Sequence, residues 1–101
     1  MLIYNITYHL ESDVEKNLVI WLNEVYIPEI QKNNPFNNIR LCRILSHHEE
    51  GHAAYSLQWE MEDSASLHHW HNQSGMKLNE QLQAIFKDKV FGIPTLMEVV
   101  K

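Results

Sequence analysis

Residues 52–61 read HAAYSLQWEM, and this stretch decides the fold because its large apolar side chains stand at every second position. The alternating set is Tyr55, Leu57, Trp59 and Met61. A period of two predicts a β-strand with one buried face. Glu49-Glu50-Gly51 precedes the stretch and has the composition of a turn, so residues 52–61 are expected to form the second half of a β-hairpin.

The first half of that hairpin is predicted at residues 38–47, where both faces of the strand carry apolar groups. One face holds Ile39, Leu41 and Leu45, and the other holds Cys42 and Ile44. Two apolar faces are typical of a strand that is covered on both sides.

Symmetric closure of the hairpin on Glu49-Glu50 fixes the expected pairing of its strands. The expected pairs are Arg43 with Ser56, Leu41 with Gln58, and His47 with His52. In that register Arg43, Ser56 and Gln58 share one face of the sheet.

A strand and a helix are predicted before the hairpin. Residues 2–10 alternate large apolar side chains with a half-polar set, which indicates the first strand. Ser12 or Asp13 is expected to cap the following helix, with Glu15 completing a capping box. Pro28 is expected to kink or end this helix.

A second helix and a last strand are predicted after the hairpin. Asp63 or Ser64 is the expected cap, and Ser74-Gly75 is expected to break the helix into two shorter ones. The last strand is predicted at residues 90–100. The order βαββαβ predicts one α+β, ferredoxin-like domain over residues 1–101, with a four-stranded antiparallel sheet and both helices on one face.

The helix-free face of this sheet is expected to be mixed in character. Its expected polar residues are Asn5, Thr7, His9, Arg43, Ser56, Gln58 and Glu60, and its aliphatic residues are Ile3, Ile39, Leu41 and Leu45. An open face with aliphatic groups favours packing against a second copy, with the polar groups lining a pocket. The alternative is an ordinary solvated face.

Composition narrows the classes of partner. A net charge of −5 with eight scattered Lys and Arg residues argues against binding of nucleic acid. No apolar run approaches the ~20 residues that cross a bilayer, and the N-terminus lacks the basic patch of a signal peptide. The lone Cys42 fits a reducing compartment and is expected to be a packed thiol. We therefore expect a cytoplasmic protein with no membrane partner.

The element order, residues 21–29 and the run from Trp59 to Ser74 resemble the dimeric α+β barrel superfamily, whose best-known branch is the antibiotic-biosynthesis monooxygenase-like domains. Ile3-Tyr4-Asn5 and residues 40–45 resemble, more closely, a family of short proteins defined only as a domain of unknown function. The resemblance implies a fold and a dimer. It does not select a reaction, because members of the superfamily differ in function.

The oxygenase and haem-degrading branches commonly use an asparagine on the first strand with a tryptophan on the second helix, which the resemblance places at Asn5 and Trp70. The haem-degrading branch adds a histidine about ten residues after that tryptophan. Leu78, Asn79 and Glu80 stand there in this chain, so no cofactor is expected.

Two pairs of histidines are weak candidates for metal binding. His68 and His71 are three residues apart on the second helix and share a face, and His47 and His52 flank the hairpin turn. For His68 and His71 a solvated polar surface is the simpler interpretation, because no cysteine or acidic third ligand stands at a fixed spacing. His47 and His52 flank a turn that also holds Glu49 and Glu50, and turns commonly carry polar residues without binding a metal.

Three functional hypotheses remain open. The first is a homodimer that binds a small apolar or anionic molecule on the helix-free face, through Thr7, Arg43, Ser56 and Gln58. The second is a cofactor-independent monooxygenase or isomerase in which Asn5, His9 and Trp70 are the candidate catalytic residues. The third is a structural dimer without an active site.

Overall fold

The computed structural model describes residues 1–32, 35–46 and 49–101. Its strands are β1 (Leu2–Glu11), β2 (Asn37–Arg43), β3 (His52–Met61) and β4 (Val90–Glu98). They form one antiparallel sheet in the order β2-β3-β1-β4. The predicted α+β, ferredoxin-like order βαββαβ is confirmed, and β3 spans the predicted residues.

The first helix is a continuous run over residues 12–31. It consists of a 3-10 turn (Ser12–Val14), an α-helical part (Glu15–Trp21), a π-helical segment (Leu22–Tyr26) and a second α-helical part (Ile27–Gln31). The predicted capping box is wrong, because the helix has no side-chain cap and Glu15 instead accepts hydrogen bonds from Arg43 and Tyr55.

The π-helical segment keeps one side of the first helix against the sheet. The buried residues of this helix are Leu18, Leu22, Tyr26 and Ile30, each four positions after the last. Because an α-helix has 3.6 residues per turn, a repeat of four drifts around its axis by about 40° at each step. A π-helical turn takes in one more residue, which offsets that drift.

The second helix begins after Asp63, whose carboxylate accepts a hydrogen bond from the Ser66 backbone N–H over 2.9 Å, as the sequence predicted. Its α-helical parts are Ser64–Trp70 and Met76–Phe86. The predicted break is a π-helical segment, His71–Gly75, so the helix continues through it. In the described parts of the chain, no helix has the length and apolar character that crossing a membrane requires.

Both helices cover the same face of the sheet, over an aromatic core. Trp59 on β3 lies at its centre, with ring centroids 5.2 Å from Trp70, 5.1 Å from Tyr4 and 6.0 Å from Phe36. Such pairs contribute about 0.5–1.5 kcal/mol each beyond the burial of their area. This core fixes the second helix above β1 and β3.

The expected register of the hairpin is wrong by one residue. Leu41 pairs with Leu57, Cys42 with Ser56, and Arg43 with Tyr55. A turn from Glu49 to His52, with Gly51 at a φ of 81°, closes the hairpin asymmetrically. Because a slip of one residue moves every side chain to the other face, Leu41 and Arg43 lie on the helix side.

The expectation that β2 is covered on both sides is also wrong for a single chain. β2 is an edge strand, and of its residues only Ile39 and Leu41 are partly buried. Cys42 is exposed on the helix-free face and is not a packed thiol. A third mismatch is length, since β2 ends at Arg43 and the predicted strand ran to His47, a residue outside the described ones.

Candidate functional site

A small polar cluster lies on the helix-free face. Asn5 donates a hydrogen bond from Nδ2 to Thr7 Oγ1 over 2.9 Å, and Ser56 donates from Oγ to Asn5 Oδ1. Gln58 pairs with Asn5 across the two strands and shares that face. Four of the predicted site residues therefore come together, and three of them satisfy one another.

His9 lies at the far end of the same face. Its ring stacks on Phe91 of β4 at a centroid distance of 5.3 Å. With Ile44, His52 and Ala54 it lines the hairpin pocket, a depression of about 240 Å³ that Asn5 does not line. His9 is thus placed apart from the polar cluster.

Arg43 does not join the cluster on the helix-free face. It lies on the helix side, where its Nε donates to Glu15 Oε2 over 2.9 Å. Tyr55 donates to the same oxygen over 2.6 Å. Arg43 thus has a carboxylate partner of its own, and the expected placement beside Ser56 and Gln58 was wrong.

Asn5 and Trp70 also lie on opposite sides of the sheet. Trp70 is 2% exposed and packs into the aromatic core, where its Nε1 donates to the Glu29 carbonyl over 3.4 Å. Asn5 belongs to the helix-free face, as its pairing with Gln58 shows. One bound molecule cannot contact both side chains from one side of the sheet, so the pair suggested by the resemblance does not form a site.

A depression larger than the hairpin pocket lies on the other side of the sheet, between the second helix and the strands β1 and β4. We call it the β4 groove. It has a volume of about 570 Å³ and is lined by Tyr4, Ser64, Ala65, Leu67, His68, His71 and Leu96. Its volume falls within the roughly 300–1,000 Å³ of pockets that hold small molecules.

Two of the β4 residues on the side that faces the helices are small. The positions of β4 that face the helices after Val90 are Gly92, Pro94 and Leu96, which pair with Tyr8, Ile6 and Tyr4. Gly92 and Pro94 line a further 240 Å³ depression that shares Tyr4 with the groove. The unfilled space thus follows the helix side of β4.

The polar groups of the groove are few and come mainly from the second helix. His68 and His71 both line it, and His71 is partly buried. The half-buried Tyr4 contributes a phenol, and burial raises the pKa of that phenol above its usual value. Tyr4 therefore stays a neutral hydrogen-bonding group at physiological pH.

The structure brings the residues of only one of the two predicted histidine pairs together among the described residues. His68 and His71 share the groove as their spacing predicts, whereas His52 lies at the hairpin pocket and His47 is outside the described residues. Among the described residues, no three His, Cys, Asp or Glu side chains are grouped to hold a metal ion.

Tyr4, Leu67 and Leu96 were not predicted as groove residues, because each fits the apolar pattern of its strand or helix. Apolar periodicity places a residue on the buried side of its element, and it does not distinguish the wall of a groove from the packed core.

Solved structures with the same fold include proteins of different function. A proposed antibiotic biosynthesis monooxygenase from Deinococcus radiodurans has a TM-score of 0.76 at 14% identity, covering 100% of this chain and 94% of its own. A point mutant of MhuD, with two manganese protoporphyrin IX bound per active site, has a TM-score of 0.74 at 13% identity, covering 100% and 96%.

A dimeric ferredoxin-like protein from an uncultured marine organism is similar as well, with a TM-score of 0.65 at 13% identity and coverage of 99% and 96%. At these identities the similarity establishes the fold alone. A search of curated proteins finds no significant match.

The sequence itself defines the family. Residues 1–100 match a domain of unknown function, DUF4286. The structures above share the ferredoxin-like fold of this chain. The protein belongs to the DUF4286 family.

Proposed function

We propose that the protein is a cytoplasmic homodimer that binds a small, largely apolar molecule in the β4 groove. The observation that carries this proposal is the groove itself, about 570 Å³ with Leu67, Leu96 and Tyr4 in its wall. Sites for small molecules are mostly apolar with a few polar groups that orient the ligand. The groove has this composition, with two histidines as the orienting groups.

The helix-free face is better suited to a partner chain than to a ligand. Its cluster of Asn5, Thr7 and Ser56 is already hydrogen-bonded internally, so it can be buried without leaving those groups unpaired. The hairpin pocket on that face is less than half the size of the groove. These features favour the β4 groove over the helix-free face, where the sequence had predicted the pocket, as the site of the small molecule.

Three large apolar side chains of β4 support the dimer. Phe91, Ile93 and Met97 pair with His9, Thr7 and Ile3, so they lie on the helix-free face. They are 55%, 48% and 39% exposed in a single chain. A row of exposed apolar groups marks an association surface, and identical faces of two chains can close on each other.

An enzymatic version of the proposal uses the same groove. A cofactor-independent monooxygenase or isomerase needs a group that moves a proton beside the bound molecule, and His68 and His71 are of the residue type that does so near neutral pH. Oxygen uptake on adding the isolated ligand would distinguish the oxygenase from a binding protein.

Native mass spectrometry of freshly purified protein tests the proposal. We expect a dimer of two 12.0 kDa chains carrying a small molecule, which is released on denaturation. A dimer that carries no molecule and takes up none from a cell extract would support the structural dimer instead. A monomer would contradict the assembly.

A further inference from the structure

His68 and His71 lie on the wall of the β4 groove that the second helix forms. Residues three apart on a helix are neighbours on its surface, and both histidines line the groove. Neither imidazole forms a hydrogen bond or an ion pair with any other described residue. Two adjacent imidazoles are thus available to a molecule in the groove.

The rest of the lining restricts the charge of such a molecule. Ser64, Ala65, Leu67, Leu96 and Tyr4 complete the wall, and no Lys or Arg is among them. A phosphate or another multiply charged anion is usually held by those two residues. A single negative charge shared by two oxygens fits two imidazole N–H donors, one for each oxygen.

The shape and polarity of the groove describe the body of the molecule. Tyr4 and Leu96 pair across β1 and β4 and form the floor, and Leu67 approaches from the helix. The Tyr4 ring is held edge-on against Trp59, with centroids 5.1 Å apart and an interplanar angle of 65°. This floor suits an apolar, flat group with its polar end toward the second helix.

We infer that the ligand is an apolar, flat carboxylic acid whose carboxylate is held by His68 and His71 while its body lies on Tyr4, Leu67 and Leu96. This inference rests on the proposed function and adds the chemical class of the ligand. The overall charge of −5 repels anions in general, so binding of an acid depends on these two local donors.

Two matched probes test the inference, 2-naphthoate and its neutral counterpart 2-naphthamide. Each is titrated into the ¹⁵N-labelled protein, and the backbone amides of the groove are followed by NMR. The proteins compared are the native chain, the double variant His68→Leu/His71→Leu and the control His69→Leu, which changes an exposed histidine of the same helix outside the groove.

We expect the double variant to lose affinity for 2-naphthoate and to keep its affinity for 2-naphthamide. Loss of two hydrogen bonds to a charged group weakens naphthoate binding by on the order of ten- to a hundred-fold, whereas naphthamide binds the double variant as well as the native chain. The His69→Leu variant should bind both probes as the native chain does.

Other outcomes distinguish a failure of the carboxylate inference from a failure of the proposed binding function. Naphthoate binding that is unchanged in the double variant, or absent while naphthamide still shifts the groove amides, overturns the carboxylate inference and leaves the groove as a binding site. If neither probe shifts the groove amides at millimolar concentration, the inference and the proposed function both fail. Retained amide dispersion in the double variant confirms that it is folded.

Discussion

Arg43 at the end of β2 donates a hydrogen bond from Nε to Oε2 of Glu15 at the start of the first helix, over 2.9 Å and across 28 residues of sequence. Tyr55 donates to the same oxygen, so one carboxylate joins the helix to two neighbouring strands. The contact depends on the register of the hairpin, because a slip of β2 by one residue would move Arg43 to the other face, away from Glu15.

Removal of this carboxylate should lower stability by a modest amount. We predict that Glu15→Ala reduces the free energy of unfolding by roughly 1 kcal/mol, since the Arg43 and Glu15 side chains are 49% and 25% exposed and water screens their attraction. Urea denaturation measures the change, with exposed Glu24→Ala as the control. Equal stability of the two variants would show that the contact is unimportant in solution.

Gly92 is predicted to tolerate no side chain. A Cβ atom there would lie 2.9 Å from Ile6 Cγ2 and 3.1 Å from Tyr8 Cε1, which is closer than packed carbons approach. Gly92→Ala should therefore cost about 1–3 kcal/mol of unfolding free energy, as overpacking does. Glu98→Ala, at an exposed site of the same strand on the helix side, is the control, and a neutral Gly92→Ala in thermal melts would contradict the packing described for β4.

The buried phenols predict loss of stability in alkali. Burial raises the pKa of Tyr8 and of Tyr26 well above the usual value of about 10. Above that value the unfolded chain loses phenolic protons that the folded chain retains, so the free energy of unfolding falls as the pH rises.

Removal of the Tyr8 hydroxyl tests whether titration of a buried phenol causes the loss of stability in alkali. It is buried and has no hydrogen bond of normal geometry to the described residues. Tyr8→Phe should therefore keep its stability near neutral pH and lose less than the native chain between about pH 10 and pH 12. Parallel stability curves for the two proteins would argue against this account.

The dimer predicts that one charge on the helix-free face is enough to prevent association. In a two-fold interface each substitution occurs twice, so Ile93→Glu should give a monomer. Ile85→Glu is a matched control, because Ile85 is similarly exposed but lies on the second helix. Size-exclusion chromatography with light scattering measures the mass, and a dimer that persists with Ile93→Glu would place the interface elsewhere.

Sequence patterns were sufficient to predict the strands and helices. They were insufficient to predict which face of the sheet each side chain of β2 occupies. Alternation located β3, and the composition around Asp63 located the cap of the second helix, because both signals are local. The pairing of Arg43 depended on the geometry of the turn at Glu49 and Gly51, where one residue changes the face. Periodicity alone does not determine such a turn.

The candidate site was harder to predict for a similar reason. The sequence gathers Asn5, Thr7, Ser56 and Gln58 on one face, and the structure agrees. The groove is space left between β4 and the second helix, and it depends on how far apart these elements pack. Apolar periodicity does not report that distance.

Methyl NMR locates the bound molecule on the protein. Intermolecular nuclear Overhauser effects are recorded between 2-naphthamide and the methyl groups of the protein. We predict effects to the methyl groups of Leu67 and Leu96 in the groove. Effects confined to Ile93 and Met97 would place the molecule on the helix-free face and contradict the account.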